Sequence, residues 1–308
     1  KDAGNTLQSF SSLTIDMRAG GIGTTSSIVA ANFPISDFVG NAFAPSSDGT
    51  TITLPDLTNH SLTSGLNLYI TDSTVGLGNV SLGQVESASG SFYLYAPGAV
   101  TQRSGKHVVM SGKSVSIYAD GALTLNDVTG GNTNLSSYDG TLSVGNVTTT
   151  SSFYGRGDQG VSAGTINASG YLELEAYGGS LTTGHLTSTS SIYLYNGGGG
   201  VTTGNLSANG YVDVYAYSGP MMLGNVNSTS DVYLYSNAAL TAGDLTTTYT
   251  SGDIDVYANG ALTVGSVTTP YAATLRGDTV QVNRVTNASM GSLSYRLEIE
   301  SQHTFTDA

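Results

Sequence analysis

The segments that decide the fold are LTTGHL at 181–186, VTTGNL at 201–206 and MMLGNV at 221–226. They return about every twenty residues, each with an apolar residue first, a glycine fourth and an apolar residue sixth. The same spacing continues in both directions, from about Val80 to about Val280. Self-similarity at this short period predicts structural repeats that stack on their neighbours.

A second apolar pair lies between these segments, always in strict alternation with outward polar or aromatic residues. The pairs are Leu172/Leu174, Ile192/Leu194, Val212/Val214, Val232/Leu234 and Ile254/Val256. Alternation with a period of two, in residues that are β-branched or aromatic, predicts strands.

A glycine separates the first short strand of each repeat from a second one. Because glycine tolerates positive φ, we expect a corner with that backbone conformation there, as at Gly184, Gly204, Gly224, Gly243 and Gly265. Three strands and their corners fit into about twenty residues. The sequence therefore predicts an all-β fold, a parallel β-helix solenoid with coils of about twenty residues and no helix longer than about three turns.

The first fifty residues fit the repeat less well. The segment from about residue 26 to residue 49 breaks the period and contains Pro34 and Pro45. We predict an N-terminal coil or cap with an irregular inserted loop at 1–50, followed by a repeat array at 51–308. The chain starts without the charged and apolar segments of a signal peptide, so we expect a fragment of a longer rod.

Composition excludes several classes of partner and site. The formal net charge is −13 and the chain has only nine Lys and Arg, so we expect no nucleic-acid partner. The absence of Cys removes disulfides, thiolate metal sites and Cys nucleophiles. No apolar run approaches the roughly eighteen residues of a membrane helix, so we expect no membrane insertion. No cofactor or metal site is indicated.

The repeat pattern resembles that of filamentous haemagglutinin and other two-partner-secretion exoproteins. LTVGSVT at 262–268 and AYGGSLT at 176–182 carry the likeness, which extends from about Val80 to Val285. The resemblance implies a right-handed parallel β-helix, export through an outer-membrane transporter and a secreted or bacterial cell-surface location. It also implies a role in cell adhesion, biofilm or virulence, although the secretion domain of that family is not recognisable here.

Tyrosines and acids alternate with the inward pairs and should form columns on one outward face. The candidate glycan-binding residues are Tyr193, Tyr195, Tyr215, Tyr233, Tyr235, Tyr257, Asp213 and Asp255. Tyrosine faces pack on the apolar faces of sugars, and the acids accept hydrogen bonds from hydroxyl groups. The alternative is a structural role, in which rings about 4.8 Å apart stack up the column.

Two copies of one tripeptide, Arg156-Gly157-Asp158 and Arg276-Gly277-Asp278, start at the same offset within their repeats. The sequence Arg-Gly-Asp is the motif that integrins recognise, which suggests a host cell-surface receptor. In the alternative interpretation the Arg ends a strand and Gly-Asp forms the next turn.

Catalysis has little support in the sequence, and we assign no catalytic residue. Glu173 and Asp213 lie two coils apart, about 10 Å, which is compatible with an inverting glycosidase, but no basic or orienting partner accompanies them. We therefore predict a non-catalytic adhesin or biofilm-matrix rod that binds a polysaccharide or a cell surface. The alternatives are a polysaccharide-cleaving β-helix enzyme and a purely structural spacer.

Overall fold

The computed structural model describes residues 13–16, 28–29, 46–47, 51–54, 56, 66–71, 78–88, 90–287 and 296–307. The chain divides into two compact units, Lys1–Gly157 and Asp158–Ala308. Both are built from short β-strands, and across the described ranges there is no helix long and apolar enough to cross a membrane. The predicted cap at 1–50 lies almost entirely outside the described residues and stays a prediction.

Unit 1, Lys1–Gly157, is a parallel β-solenoid. Its strands are β1 (Leu13–Asp16), β2 (Ile28–Val29), β3 (Ser46–Ser47), β4 (Thr51–Thr53), β5 (Leu66–Thr71), β6 (Asn79–Leu82), β7 (Val85–Ser87), β8 (Phe92–Ala96), β9 (Val100–Gln102), β10 (Val108–Met110), β11 (Val115–Ala119), β12 (Leu123–Leu125), β13 (Val128–Gly130), β14 (Thr133–Ser137), β15 (Leu142–Val144), β16 (Val147–Thr149) and β17 (Phe153–Gly157).

Each full coil of unit 1 contributes one strand to each of three parallel sheets, called A, B and C in the order in which the chain reaches them. Sheet A contains β4, β6, β9, β12 and β15. Sheet B contains β7, β10, β13 and β16. Sheet C contains β1, β5, β8, β11, β14 and β17. Only β2 and β3 pair antiparallel, with β1 and β4 respectively, among the pairings that the described residues show.

Unit 2, Asp158–Ala308, repeats the same arrangement. Its strands are β18 (Val161–Ala163), β19 (Ile166–Ala168), β20 (Leu172–Ala176), β21 (Leu181–Thr183), β22 (Leu186–Ser188), β23 (Ile192–Asn196), β24 (Val201–Thr202), β25 (Leu206–Ala208), β26 (Val212–Ala216), β27 (Met221–Leu223), β28 (Val226–Ser228), β29 (Val232–Ser236), β30 (Leu240–Ala242), β31 (Leu245–Thr247), β32 (Asp253–Ala258), β33 (Ala261–Thr269), β34 (Ala272–Asn287) and β35 (Arg296–Asp307).

The strands of unit 2 likewise form three parallel sheets, which are named A, B and C in the same order. The A strands begin with β18 and β21, the B strands with β19 and β22, and the C strands with β20 and β23. Towards the end of the unit the corners straighten. Strand β33 pairs with both β30 and β31, and β34 pairs with both β32 and β33, so single strands run through two or three sheets.

The core of each solenoid is the set of inward side chains predicted from the alternation. Most strands of sheet C have three buried and two half-buried residues, as in Val212–Ala216, while most short strands bury their first and last residues. Every predicted inward pair is buried, Leu172 and Leu174 among them. Full burial of each such Leu or Val contributes about 1.5–3 kcal/mol, so stacked coils share one apolar column. The parallel solenoid of about twenty residues per coil is thus confirmed.

The corner between sheets A and B differs from the prediction. The glycines at this corner, including Gly184, Gly204, Gly224, Gly243 and Gly265, do not have positive φ. They are needed for space instead, because a Cβ on Gly224 would lie 2.5 Å from Asn205 Oδ1 of the preceding coil.

At four of these five corners, all except Gly184, the side chain that follows the corner glycine of the preceding coil explains the crowding. His185 Nδ1 accepts a hydrogen bond from the backbone N–H of Asn205, 2.8 Å away, one coil later. Asn205 Oδ1 accepts from Asn225 N at 3.0 Å, and Asn225 Oδ1 from Asp244 N at 2.9 Å. Asp244 Oδ1 continues the ladder to Ser266 N at 2.7 Å. The ladder occupies the volume where a larger residue would place its side chain.

Candidate functional site

The predicted tyrosines and acids lie on the outer surface of sheet C in unit 2. Strand pairing aligns the first outward positions as Glu173, Tyr193, Asp213, Tyr233 and Asp255. It aligns the second outward positions as Glu175, Tyr195, Tyr215, Tyr235 and Tyr257. All ten are half-buried, between buried neighbours that point inward, so their predicted outward direction is confirmed. These ten residues, with the flanking tyrosines described next, are called the tyrosine face.

Four further tyrosines that the sequence reasoning missed flank these strands. Tyr171 and Tyr211 precede β20 and β26, and Tyr177 and Tyr217 follow them. Tyr177 is 44%, Tyr217 41% and Tyr211 38% exposed, so these rings are more open to solvent than those on the strands. A signal was present in the sequence, because each pair recurs at an interval of two coils, but these residues lie outside the alternating segments.

The rings of the tyrosine face contact one another along diagonals and not simply up a column. One line joins Tyr177, Tyr195, Tyr217 and Tyr235, with centroid distances of 5.6, 5.5 and 5.5 Å. A second line joins Tyr193, Tyr215, Tyr233 and Tyr257, with distances of 5.7, 5.4 and 5.7 Å.

These rings are tilted against one another, whereas the structural interpretation of the sequence predicts rings stacked in parallel up each column. Planes within the two lines are inclined by 38–50°. Tyr215 and Tyr217 are close to parallel, at 5° and 6.0 Å, and connect the lines. Tilted aromatic pairs are favourable by about 0.5–1.5 kcal/mol each, so the contacts also make the face rigid. The result is one continuous aromatic surface of eight rings.

Two acids of the tyrosine face, Asp213 and Glu173, lie where ionisation is disfavoured. The pKa of Asp213 is raised mainly by burial and to a smaller extent by the charge of Asp231. Burial, followed by the charge of Glu175, raises the pKa of Glu173. Burial likewise raises the pKa of Tyr193 to about 12. The segment from residue 158 to residue 275 contains eight acidic residues and no Lys or Arg, so no permanently charged cation of that segment can compensate these carboxylates.

Sheet C of unit 1 carries a smaller group of tyrosines. Tyr118 contacts Tyr93 at 5.5 Å and Tyr138 at 6.3 Å, the latter nearly parallel. Tyr95 donates a hydrogen bond from its hydroxyl group to Asp120 Oδ2 at 2.8 Å. That bond, with burial, raises the pKa of Tyr95 to about 12.

The first Arg-Gly-Asp tripeptide begins on a strand of sheet C. Arg156 occupies the second outward position of β17, with its guanidinium carbon 5.3 Å from the Tyr138 ring centroid. Gly157 points inward and is buried, and Asp158 is half-buried.

The second tripeptide lies entirely within β34, where Arg276 is in register with Tyr257. The interpretation of Gly277-Asp278 as a turn is therefore wrong, because β34 continues through both residues. Gly277 is buried, and a Cβ there would lie 2.9 Å from Leu262 Cβ, so the inward packing requires glycine.

No group of three or more His, Asp or Glu in the described part of the chain is arranged to hold a metal ion. Comparisons with protein-family models, with curated proteins and with solved structures find no match to this chain.

Proposed function

We propose that the tyrosine face of unit 2 binds polysaccharide and that the chain is a non-catalytic segment of a secreted bacterial adhesin or biofilm-matrix protein. The observation that carries this proposal is the continuous surface of eight tyrosine rings, drawn from five consecutive coils and interspersed with carboxylates. Contiguous exposed aromatic surface on a protein usually marks a binding site.

The chemistry of the face suits sugars. Tyrosine rings present an apolar face and a hydroxyl group, which match the apolar face and the hydroxyl rim of a pyranose ring. Asp213 and Asp255 lie beside the rings and accept hydrogen bonds from sugar hydroxyl groups. Because β-strands and ring contacts hold the side chains in place, little side-chain entropy is lost when a ligand binds.

The proposed cellular location is supported by the resemblance of the coil pattern to two-partner-secretion exoproteins. That resemblance favours export through an outer-membrane transporter and display at the bacterial surface. An adhesive function needs only that the face remain accessible, whereas a pure spacer would not need clustered aromatic residues on one sheet.

Glu173 and Asp213 are the two carboxylates whose spacing comes closest to that of an inverting glycosidase, and their electrostatics favour binding without cleavage. An inverting pair needs one carboxyl group that stays protonated and another that stays ionised, so their environments should shift the two pKa values apart. Burial shifts the pKa of Glu173 and that of Asp213 in the same direction.

Integrin recognition is the weaker candidate for the cell-surface partner. The Arg276-Gly277-Asp278 copy is fixed in β34 with its glycine packed against Leu262. Such a backbone cannot adjust to a receptor as a loop can. We therefore assign attachment to the tyrosine face.

A glycan array tests the proposal directly. The variant Tyr195→Ser/Tyr215→Ser/Tyr235→Ser should lose binding to the glycans that the unchanged chain captures, while circular dichroism remains that of a β protein. The matched control replaces the exposed outward residues Thr187, Ser207 and Asn227 of sheet B, in three consecutive coils, with Ala. Unchanged binding by the tyrosine variant, or release of shortened glycans by the unchanged chain, would contradict the proposal.

A further inference from the structure

The first outward column of sheet C in unit 2 repeats every two coils, whereas the core repeats every coil. The first outward column alternates strictly between acid and tyrosine. In two of the three acid-bearing coils, Tyr171 and Tyr211 flank the strand on one side and Tyr177 and Tyr217 on the other, whereas the coil of Asp255 has Asp253 and Asn259 at these positions. Coils are about 4.8 Å apart, so the pattern of the face recurs about every 10 Å. A two-coil period has no counterpart in the packing of the interior.

Asp213, the central acid of this pattern, has no Lys or Arg in its own coil or in the two coils on either side. Glu173, Asp213 and Asp255 stand in one column beside tyrosine rings, and no Lys or Arg occurs from residue 158 to residue 275. Half-buried carboxylates in contact with aromatic surface are unfavourable without an opposite charge. The presence of these carboxylates on a face otherwise suited to neutral sugars indicates that the ligand supplies the positive charge.

We propose that the tyrosine face of unit 2 binds a linear polysaccharide of amino sugars with free amino groups, lying along the direction in which the coils stack. The inference rests on the proposed function, because it names the class of glycan that the same face takes. Ring faces of the sugars pack on the diagonal lines of tyrosines. Ammonium groups pair with Glu173, Asp213 and Asp255, which are spaced about 10 Å apart along the column.

The same charges exclude acidic polysaccharides. A chain of uronic acids would place carboxylates against Asp213 and Asp255, and like charges at close range cost binding free energy. The raised pKa of Asp213 agrees with this assignment, because an ammonium group beside the carboxylate would restore its ionised form. A basic peptide shares the positive charge but not the flat apolar ring faces, which the eight tyrosines require.

The test compares oligosaccharides of equal length by calorimetry on the full chain. The probes are β-1,4-linked glucosamine hexamers, the same hexamers fully N-acetylated, hexamers of galacturonic acid, and hexalysine. The glucosamine hexamer should bind at least about tenfold more tightly than the acetylated one, because a hydrogen bond between an ammonium group and a carboxylate is stronger than one between neutral groups. The galacturonate hexamer should not bind.

Two variants separate charge from aromatic surface. Glu173→Gln/Asp213→Asn/Asp255→Asn should bring the affinity for the glucosamine hexamer down to that for the acetylated hexamer, while the tyrosines stay intact. The matched control is Asp244→Asn, which removes an exposed acid at the corner between sheets A and B and keeps an oxygen to accept from Ser266 N–H. That control should bind like the unchanged chain.

Different failures have different meanings. Equal affinity for acetylated and free hexamers overturns the amino-sugar inference and leaves the glycan function standing. Tight binding of hexalysine that survives Tyr195→Ser/Tyr215→Ser/Tyr235→Ser overturns the inference in favour of a basic protein partner. Failure of every glycan, on the array and in calorimetry, overturns the proposed function and the inference together.

Discussion

Replacing Gly265 by alanine tests why glycine stands at the corner between sheets A and B. A Cβ on Gly265 would lie 2.5 Å from Asp244 Oδ1, and 3.0 and 3.1 Å from the carbonyl carbon and oxygen of Gly243. The same Asp244 oxygen accepts the hydrogen bond from Ser266 N–H at 2.7 Å. The alanine methyl group therefore displaces the carboxylate and breaks a rung of the ladder.

The expected magnitudes follow from these contacts. Gly265→Ala should cost about 1–3 kcal/mol, the range for inserting a methyl group into a filled site. Asp244→Ala alone should cost about 1 kcal/mol, the value of one net hydrogen bond. In the double variant the new methyl group meets only the backbone of Gly243. The double variant should therefore lose less free energy of unfolding than the sum of the losses in the two single variants, by about 1 kcal/mol or more.

Urea denaturation followed by far-UV circular dichroism measures this coupling free energy. A parallel cycle combines Gly265→Ala with Asp231→Ala, whose carboxylate accepts from Asp253 N at 2.9 Å at a different place in the coil. Those two losses should add. If Gly265→Ala and Asp244→Ala are also additive, the carboxylate is not the obstacle, and the steric explanation of the corner glycines is refuted.

Three further outcomes are expected. Asp213→Asn should raise the thermal midpoint of unfolding at neutral pH, because burial raises the pKa of Asp213 and its ionisation destabilises the folded state. The gain should vanish near pH 3, where Asp213 is protonated. A gain independent of pH would contradict this. Tyr95→Phe should lower the free energy of unfolding by about 1 kcal/mol below pH 10. This loss should shrink as the pH rises through the pKa of about 12, since the folded state holds the Tyr95 proton to higher pH than the unfolded chain does. In a spectrophotometric titration of phenolate, the variant should lack one late-ionising group. Leu234→Ala should cost about 2–5 kcal/mol in urea denaturation through the cavity that it leaves, whereas the control Met222→Ala, at a side chain that is 55% exposed, should change stability by no more than about 0.5 kcal/mol.

The fold could be predicted from the sequence because its determinants are local and repeated. Alternation at Val212 and Val214 specifies a strand with one inward face, and recurrence of the same pair in each coil specifies which strands stack. The outward direction of Tyr195 follows from the same alternation. Neither inference needs knowledge of contacts between distant residues.

Other features depend on neighbours one coil away and were not accessible from local patterns. The glycine at 224 looks like a positive-φ position in isolation, and only its approach to Asn205 reveals the steric reason. Tyr177 and Tyr217 join the aromatic surface through rings of adjacent coils, although they lie beyond the strands. The diagonal ring contacts depend likewise on side-chain rotamers that alternation does not specify.

The difference in period between the interior and the tyrosine face restricts how this solenoid can be lengthened. Duplication of one coil would give a well-packed interior, since every coil presents apolar residues at the same inward positions to its neighbours. It would also put the acids and tyrosines downstream of the insertion out of phase with those upstream. Only insertions or deletions of coil pairs keep both patterns intact, so a segment such as 171–210 is the smallest unit by which the face can grow.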